Sequence, residues 1–232
     1  MTPSERRRVE AEARRRLSQA FLTALSFLAG VTDAIGFLLA GEYVSFMSGN
    51  TTNLAIAVGQ GQPDALVRGA LVVALFVAGN ALSALVMALV DGRQAILLLL
   101  VAGFASVPAF FAEPVRGIPA LVFAMGLLNG AMDQVDGRGV GLTYVTGALT
   151  RIGRGLGRRL LGDRSQGWHL QIWPWIGVLT GGLGGALALS HSLPGAILLP
   201  AVIAALLAIA ADAIPASWRR RYLAQPVRPD RR

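Results

Sequence analysis

The sequence predicts an all-α membrane protein whose six transmembrane helices form two inverted three-helix repeats. The first observation is compositional: 54% of the 232 residues are apolar and 15% are charged, with a mean hydropathy of +0.57. A soluble domain would carry about a quarter charged residues. The second is a set of six apolar stretches near the roughly 20 residues that a spanning helix needs. The third is a hydroxyl- and glycine-rich motif that occurs twice.

The six apolar stretches set the predicted domain organisation. They cover residues 18–39, 68–90, 95–112, 118–136, 170–189 and 195–213. The first runs on past Leu39 without a cleavage site, which indicates a spanning helix rather than a signal peptide. We therefore expect a transmembrane domain over 18–213, with repeat one at 18–114 and repeat two at 118–213. Residues 1–17 and 214–232 are expected to be basic cytoplasmic tails.

The arginines predict the orientation in the bacterial inner membrane. All 21 basic residues are arginines, and 19 of them fall on one side if both termini are cytoplasmic. The other side holds Arg68 and Arg116 alone. This asymmetry is typical of the positive-inside rule. The four tryptophans also fall at the predicted cytoplasmic helix ends, where indole rings favour the headgroup layer, namely Trp168, Trp173, Trp175 and Trp218.

An internal repeat relates the two halves. The segment 45–54, Ser-Phe-Met-Ser-Gly-Asn-Thr-Thr-Asn-Leu, aligns with 143–152 at an offset of 98, and 76–79 aligns with 178–181 at an offset of 102. Because each half holds three spans, an odd number, the second copy enters the membrane from the opposite side. Inverted repeats of this kind are typical of secondary transporters.

The repeated segments 43–60 and 139–157 are too short or too charged to span. Irregular backbone at membrane depth persists only where protein buries it or water reaches it. One interpretation is a pair of re-entrant half-helices, beginning near Ser48-Gly49 and Thr146-Gly147, whose free N–H groups meet an anion or polar solute. The alternative is an interfacial amphipathic helix, which the four arginines of 151–159 favour for the second segment.

Polar side chains within the apolar stretches are candidates for an ion or solute pathway. A carboxylate such as Asp33 costs about 3 kcal/mol to insert, so it usually has a partner, a proton or a pathway to serve. Hydration at the outer interface is the alternative. Its counterpart in the second half is either Asp133, at an offset of 100, or Asn129, at 96. Solvation at the cytoplasmic end is the alternative role for Asp133.

Small residues in the second and fifth spans predict close helix packing. Gly79 and Ser83, like Gly181 and Gly185, have the small-xxx-small spacing of membrane helix interfaces. Asn80 lies beside the first pair. It is either a site residue or an interhelical hydrogen-bond partner.

Four motifs resemble the YoaK family of small bacterial membrane proteins, which carry a domain of unknown function. They begin at Gly30 (Gly-Val-Thr-Asp-Ala), Phe46 (Phe-Met-Ser-Gly-Asn-Thr), Gly126 (Gly-Leu-Leu-Asn) and Thr143 (Thr-Tyr-Val-Thr-Gly-Ala-Leu-Thr). The resemblance spans about 18–213 and implies Asn129 as the partner of Asp33. In this chain Ser48 replaces the family's threonine, and Asp133 lies where the family tends to carry basic residues. No established substrate comes with the resemblance.

The leading functional hypothesis is a transporter or permease for a small solute or ion, with its site between the repeats. The predicted pathway residues are Asp33, Ser48, Gly49, Asn50, Thr51, Asn80, Asn129, Asp133, Thr146 and Gly147. The alternative is a non-transporting assembly or sensor protein. The chain has no cysteine, and His169 and His191 have no partners at metal-ligand spacing, so we expect no metal, no cofactor and no enzyme activity. Expected partners are the lipid bilayer, an unknown solute or ion and a second copy of the chain, but not nucleic acid.

Overall fold

The fold of this chain is helical. The computed structural model describes residues 2–131, 134–135, 138–139, 145–162 and 167–214. The helices are α1 (Pro3–Ala40), α2 (Met47–Gly59), α3 (Pro63–Leu89), α4 (Gln94–Ser106), α5 (Ile118–Asn129), α6 (Val145–Leu160), α7 (Ile172–His191) and α8 (Leu193–Ala213). Three 3₁₀ turns lie at Val107–Phe110, Pro114–Gly117 and Trp168–Gln171, and a two-residue strand pair joins Gln134–Val135 to Arg138–Gly139.

Four of the helices are long and apolar enough to cross a membrane: α1, α3, α7 with its preceding 3₁₀ turn, and α8. The third and fourth predicted spans correspond to shorter apolar helices over Gln94–Phe110 and Pro114–Asn129. Pro108 ends the regular part of the first of these, because it has no N–H to continue the α-helical ladder. In the predicted fourth span, 118–136, the helix α5 ends at Asn129 and residues 130–131 form a turn.

The first helix begins far upstream of the predicted span. Thr2 and Glu5 form a capping box, in which each side chain accepts a hydrogen bond from the other's backbone N–H. Helix α1 therefore starts at Pro3, and residues 3–17 of the predicted tail continue the first spanning helix. Residues 215–232, which include Trp218 and all of the predicted second tail except Ile214, lie outside the described residues.

Three helix pairs make the most extensive contacts: α1 with α7, α3 with α5, and α4 with α8. Helix α5 is the most enclosed of them, with eight buried residues among its twelve. Its side chains join those of α1 and α4 in the main hydrophobic core, which includes Leu25, Leu28, Leu97, Leu121 and Met125. The buried Gln94 at the start of α4 donates to the Ala131 carbonyl at 2.6 Å, which ties the start of α4 to the end of α5.

Glycines allow two of these pairs to cross at backbone contact. A Cβ atom on Gly181 of α7 would overlap the carbonyl oxygen of Phe27 in α1, and one on Gly30 would overlap that of Val178. The predicted close packing of the fifth span is thereby confirmed. Along the pair, Gly177 lies against Thr23 and Gly185 against Val31, so α1 and α7 run parallel.

Helices α3 and α5 are also in backbone contact at glycines. A Cβ on Gly79 would overlap the carbonyl oxygen of Phe123, and one on Gly126 would overlap that of Phe76. Further along, Gly130 packs against the side chain of Ser83, so this pair is also parallel. The small residues predicted in the second span are thus packing residues.

Candidate functional site

The Asp33 carboxylate holds the turn that joins α1 to α2. Its Oδ1 accepts the backbone N–H of Val44 at 2.9 Å and of Ser45 at 2.7 Å, and its Oδ2 accepts the Ser45 hydroxyl at 2.6 Å. When Asp33 is ionised these bonds are charge-assisted, which makes them about twice as strong as neutral ones. Both oxygens of the predicted pathway carboxylate therefore bind a segment that follows it in the chain.

This contact fixes where α2 begins. Asp33 lies seven residues before the end of α1 at Ala40, which is about 10 Å along the helix axis at 1.5 Å per residue. Because Val44 and Ser45 bond to Asp33, the chain turns back along α1 by about that distance. Helix α2 therefore starts beside the body of α1 and not beyond its end.

Asn50 holds the same turn from the α2 side. Its Nδ2 donates to the carbonyl of Tyr43, and its Oδ1 accepts the Tyr43 N–H at 3.2 Å. The Asn50 residue is only 2% exposed, so these bonds replace the water that its amide has lost. Together Asp33 and Asn50 fix three consecutive residues, 43–45.

Aromatic rings cover the start of α2. Phe37 stacks on Tyr43 with ring centroids 4.8 Å apart, and Tyr43 meets Phe46 edge-on at 5.4 Å. Gly49 lies under these rings, since a Cβ there would come within 2.8 Å of a Phe46 ring carbon. The glycine of the predicted motif thus leaves room for the Phe46 ring.

The first turn of α2 remains available to a ligand. Phe46 provides no side-chain cap, and the Met47 N–H donates to the Ser45 carbonyl at 3.1 Å. The first-turn N–H groups without an intrahelical partner are then those of Ser48 and Gly49. Ser48 and Thr51 are exposed there, and the Thr51 hydroxyl donates to the Met47 carbonyl at 2.8 Å. A helix start of this kind suits an anion or a polar solute.

The remaining predicted residues lie on other elements. The Asn80 amide donates to the Phe76 carbonyl at 2.8 Å, and the Asn129 amide to that of Met125 at 3.3 Å, so each bonds within its own helix. The Asn80 bond therefore shows this residue neither as a site residue nor as an interhelical hydrogen-bond partner, the two roles predicted for it. In α6, which packs against α7 and the 3₁₀ turn before it, Thr146 is exposed and Gly147 is buried. Asp133 lies outside the described residues.

The residues that sequence reasoning missed are the partners of the predicted ones. Ser45 was overlooked as a site residue, although it opens the repeated motif as the counterpart of Thr143. Thr32, next to Asp33, was also missed. Its hydroxyl donates within α1 and lies 3.1 Å from the sulfur of Met125, which links α1 to α5. Its small polar side chain in an apolar run was the available signal.

A charged pair lies beside the turn. The Arg68 Nε of α3 is 3.9 Å from a Glu42 carboxylate oxygen. Partial burial raises the pKa of the Glu42 carboxyl above its ordinary value, and the positive charge of Arg68 opposes that rise. The pair connects the start of the turn to α3, against which α2 packs.

Comparison with known proteins places the chain in a family. Residues 21–210 match the model of a family described as protein of unknown function (DUF1275). The chain belongs to the DUF1275 family. It is also similar to the UPF0700 transmembrane protein RA0705 of Rhizobium meliloti (strain 1021), with 42% identity over 224 residues, which are 96% of this chain and 99% of the relative. No solved structure matches.

The family and the apolar helices agree on a membrane protein of unknown function. The predicted resemblance to a membrane family with an uncharacterised domain is confirmed at that level, and the name YoaK stays a prediction. The family match covers α1 to α8 except for the two ends, so the Asp33–Asn50 turn lies well inside the DUF1275 region.

The Asn50 clamp makes a testable contribution to the stability of this DUF1275 protein. We expect Asn50→Ala to lower the free energy of unfolding by about 1–3 kcal/mol, because both polar groups of the Tyr43 backbone lose their partner. Thermal unfolding of the detergent-solubilised protein measures the change. Asn53→Ala, at an exposed position of the same helix, is the control and is expected to change stability by less than about 0.5 kcal/mol. Equal effects of the two substitutions would contradict a clamping role.

Proposed function

We propose that this chain is a transporter for a small solute or ion in the bacterial inner membrane. In this proposal two inverted repeats of three spanning helices surround the pathway, and both termini are cytoplasmic. The single observation that carries the proposal is the matched pair of glycine crossings, α1 with α7 and α3 with α5.

One pair of sequence offsets converts the contacts between α1 and α7 into the contacts between α5 and α3. Adding 96 to the α1 contact residues and subtracting 102 from those of α7 turns Gly30–Val178 into Gly126–Phe76. The same operation turns Phe27–Gly181 into Phe123–Gly79. The first helix of each half thus meets the second helix of the other half at equivalent residues. A two-fold relation between the halves would produce this exchange, which supports the proposal of inverted repeats.

The offset of 96 bears on the counterpart of Asp33. Applied to Asp33 it gives Asn129, the residue that the family resemblance also implies. Asp33 in α1 and Asn129 in α5 then occupy equivalent positions, and each directly follows one member of the equivalent pair Thr32 and Leu128. Since Thr32 contacts Met125, the two helices approach each other close to these positions.

The directions of the helices support six membrane-spanning segments. The helices α3 and α5 run parallel, so if both span the bilayer the chain between them returns across it, and α4 with its 3₁₀ turn would supply that crossing. The helices α4 and α5 are shorter than the four long apolar helices, and α5 is the most buried. Such helices suit the enclosed centre of a bundle, where neighbouring protein replaces part of the lipid contact.

In this arrangement α2 acts as a re-entrant half-helix at the outer mouth of the pathway. The Asp33 carboxylate holds its entry by accepting three hydrogen bonds. A proton on Asp33 would remove the negative charge that these donors favour and loosen the turn. Opening of one half while the other stays closed is the alternating access expected of inverted repeats.

Flux measurements in proteoliposomes test the proposal. We expect proton-coupled uptake of one member of a solute panel, with Asp33→Asn lowering the rate about tenfold or more, which corresponds to about 1.4 kcal/mol of barrier. Asp64→Asn, at an exposed carboxylate in the first turn of α3, is the matched control and should keep the wild-type rate. Unchanged flux in Asp33→Asn removes Asp33 from the mechanism. No flux for any anion, cation or neutral solute of the panel would sink the proposal itself.

A second candidate is a non-transporting membrane scaffold. The observation that favours it is that the Asp33 and Asn50 side chains are bonded to backbone of the same turn. Static clamps of this kind need no transported ligand. Purification of the native membrane complex distinguishes the two: a stoichiometric partner retained through size exclusion supports the scaffold.

A further inference from the structure

Helix α6 carries an exposed leucine stripe. Leu149, Leu156 and Leu160 follow a spacing of seven and four, so they share one face of the helix. Their exposed fractions are 45%, 47% and 89%. A stripe of this length is unfavourable in water and favourable in hydrocarbon.

The other two sides of α6 differ in chemistry. On one side Gly155 packs directly on the ring of Trp168, and Ala148 is buried, so this side faces the protein. Away from the stripe lie four exposed arginines, Arg151, Arg154, Arg158 and Arg159. No acidic residue occurs within α6. The Arg151 Nε donates to the side-chain oxygen of Gln171 in the 3₁₀ turn before α7 at 3.0 Å. The helix therefore presents leucines and positive charge on its open sides.

We propose that α6 is a lipid-binding helix that lies in the membrane interface and selects anionic phospholipid. The leucines enter the acyl-chain region, and the arginines bind the phosphate groups of headgroups beside it. The recognised ligand is a phosphodiester attached to acyl chains. Such a lipid both surrounds the leucine stripe with hydrocarbon and pairs the arginines with negative charge. This inference does not depend on whether the chain transports a solute.

Neighbouring residues place α6 at interfacial depth. Trp168, against which Gly155 packs, begins the 3₁₀ turn before α7, and Trp173 and Trp175 follow in the first turn of α7. Tryptophan rings concentrate at the headgroup layer. Helix α6 lies against this end of α7, so its leucines and arginines are at the depth where acyl chains meet phosphates.

Helix α6 has a basic face and the helix α2 does not. Helix α2 contains no charged residue, although its sequence aligns with the start of α6. Anionic lipid attracts basic segments by about 1 kcal/mol per residue, or about fivefold in local preference. The difference between the two helices is thus the one expected if only α6 meets an anionic leaflet surface.

Fluorescence quenching by spin-labelled lipid tests the proposal. Because the chain has no cysteine, Leu156→Cys gives a single bimane label on the stripe. The protein is reconstituted in equimolar phosphatidylcholine and phosphatidylglycerol, with the nitroxide on the acyl chain of one lipid or the other. We expect labelled phosphatidylglycerol to quench about fivefold more effectively than labelled phosphatidylcholine. Leu206→Cys, on the exposed face of α8, is the positional control and should be quenched equally by both.

Charge removal provides the second arm. Replacing the four α6 arginines by glutamine should abolish the preference for phosphatidylglycerol at Leu156→Cys while quenching by both lipids continues. The matched control replaces four exposed arginines at the start of α1, Arg6, Arg8, Arg15 and Arg16, and should keep the preference. Addition of inorganic phosphate should leave it unchanged.

Three results would overturn the proposal. Equal quenching by the two lipids in the otherwise unchanged protein rejects selection of anionic lipid. Absence of quenching by either lipid means that protein covers the stripe. Loss of the preference on adding inorganic phosphate means that the arginines recognise a free anion and not a headgroup. Solute flux enters none of these readouts, so failure here is distinguishable from failure of the transport proposal.

Discussion

Replacing Gly181 by valine is expected to lower the free energy of unfolding by about 3 kcal/mol or more. The new Cβ would overlap the backbone carbonyl of Phe27, which cannot move aside as a side chain can, so α1 and α7 have to separate. These two helices form the most extensive contact in the fold, and the loss of dispersion contacts extends along both. Unfolding of the detergent-solubilised protein by heat or by a denaturing detergent measures the change.

A matched glycine supplies the control. Gly103 is exposed in the helix α4 and has no atom within 4 Å of the position that its Cβ would take. Gly103→Ala is expected to stabilise the protein by about 0.5–1 kcal/mol, since alanine is the better helix former. Gly181→Ala is the milder test where the valine variant does not fold. Equal stability of the alanine variants at 181 and 103 would contradict the backbone contact.

Replacing Asp33 by alanine is the second large expected effect, a loss of about 3 kcal/mol or more in the free energy of unfolding. Two backbone N–H groups and the Ser45 hydroxyl, itself only 3% exposed as a residue, would lose their acceptor. Buried donors left without a partner cost about 1–3 kcal/mol each, and more when the bond was to a charge. The same unfolding assay reports the loss.

Asparagine at position 33 separates hydrogen bonding from charge. Its amide oxygen still accepts the N–H groups of Val44 and Ser45, so Asp33→Asn should lose clearly less stability than Asp33→Ala. Asp64→Ala, at an exposed carboxylate, should lose less than about 0.5 kcal/mol. If Asp33→Ala were as stable as Asp64→Ala, the carboxylate would not hold the turn. A folded Asp33→Asn protein also makes the flux test interpretable.

The sequence identified Asp33 but not its bonds. A carboxylate in an apolar run is conspicuous because insertion is costly, which is a local property of the sequence. That Val44 and Ser45 supply the donors depends on the chain turning back beside α1, and no local pattern encodes that turn. For the same reason Asn50 was predicted as a pathway residue, whereas its observed partner is the backbone of Tyr43.

The sequence likewise predicted the positions of the apolar helices but not all of their ends. Hydropathy located all six apolar helices, since the apolar runs are long and continuous. It overestimated the helical part of the fourth, which ends at Asn129, because an apolar run does not show where α-helical hydrogen bonding ends. It also underestimated the first, because the charged residues 3–17 continue the helix through a capping box and not through hydrophobicity.

The sequence by itself determined that this is a helical membrane protein, since composition and apolar run length follow directly from the solvent that the surface meets. It also identified Gly79, Gly181 and Gly185 as packing residues and 151–159 as a basic segment, because both are patterns within a single helix. Only the tertiary structure decided which helices cross at those glycines and which backbone groups the Asp33 and Asn50 side chains hold. Those contacts join residues far apart in the chain, and their energies depend on geometry that exists only once the helices are packed.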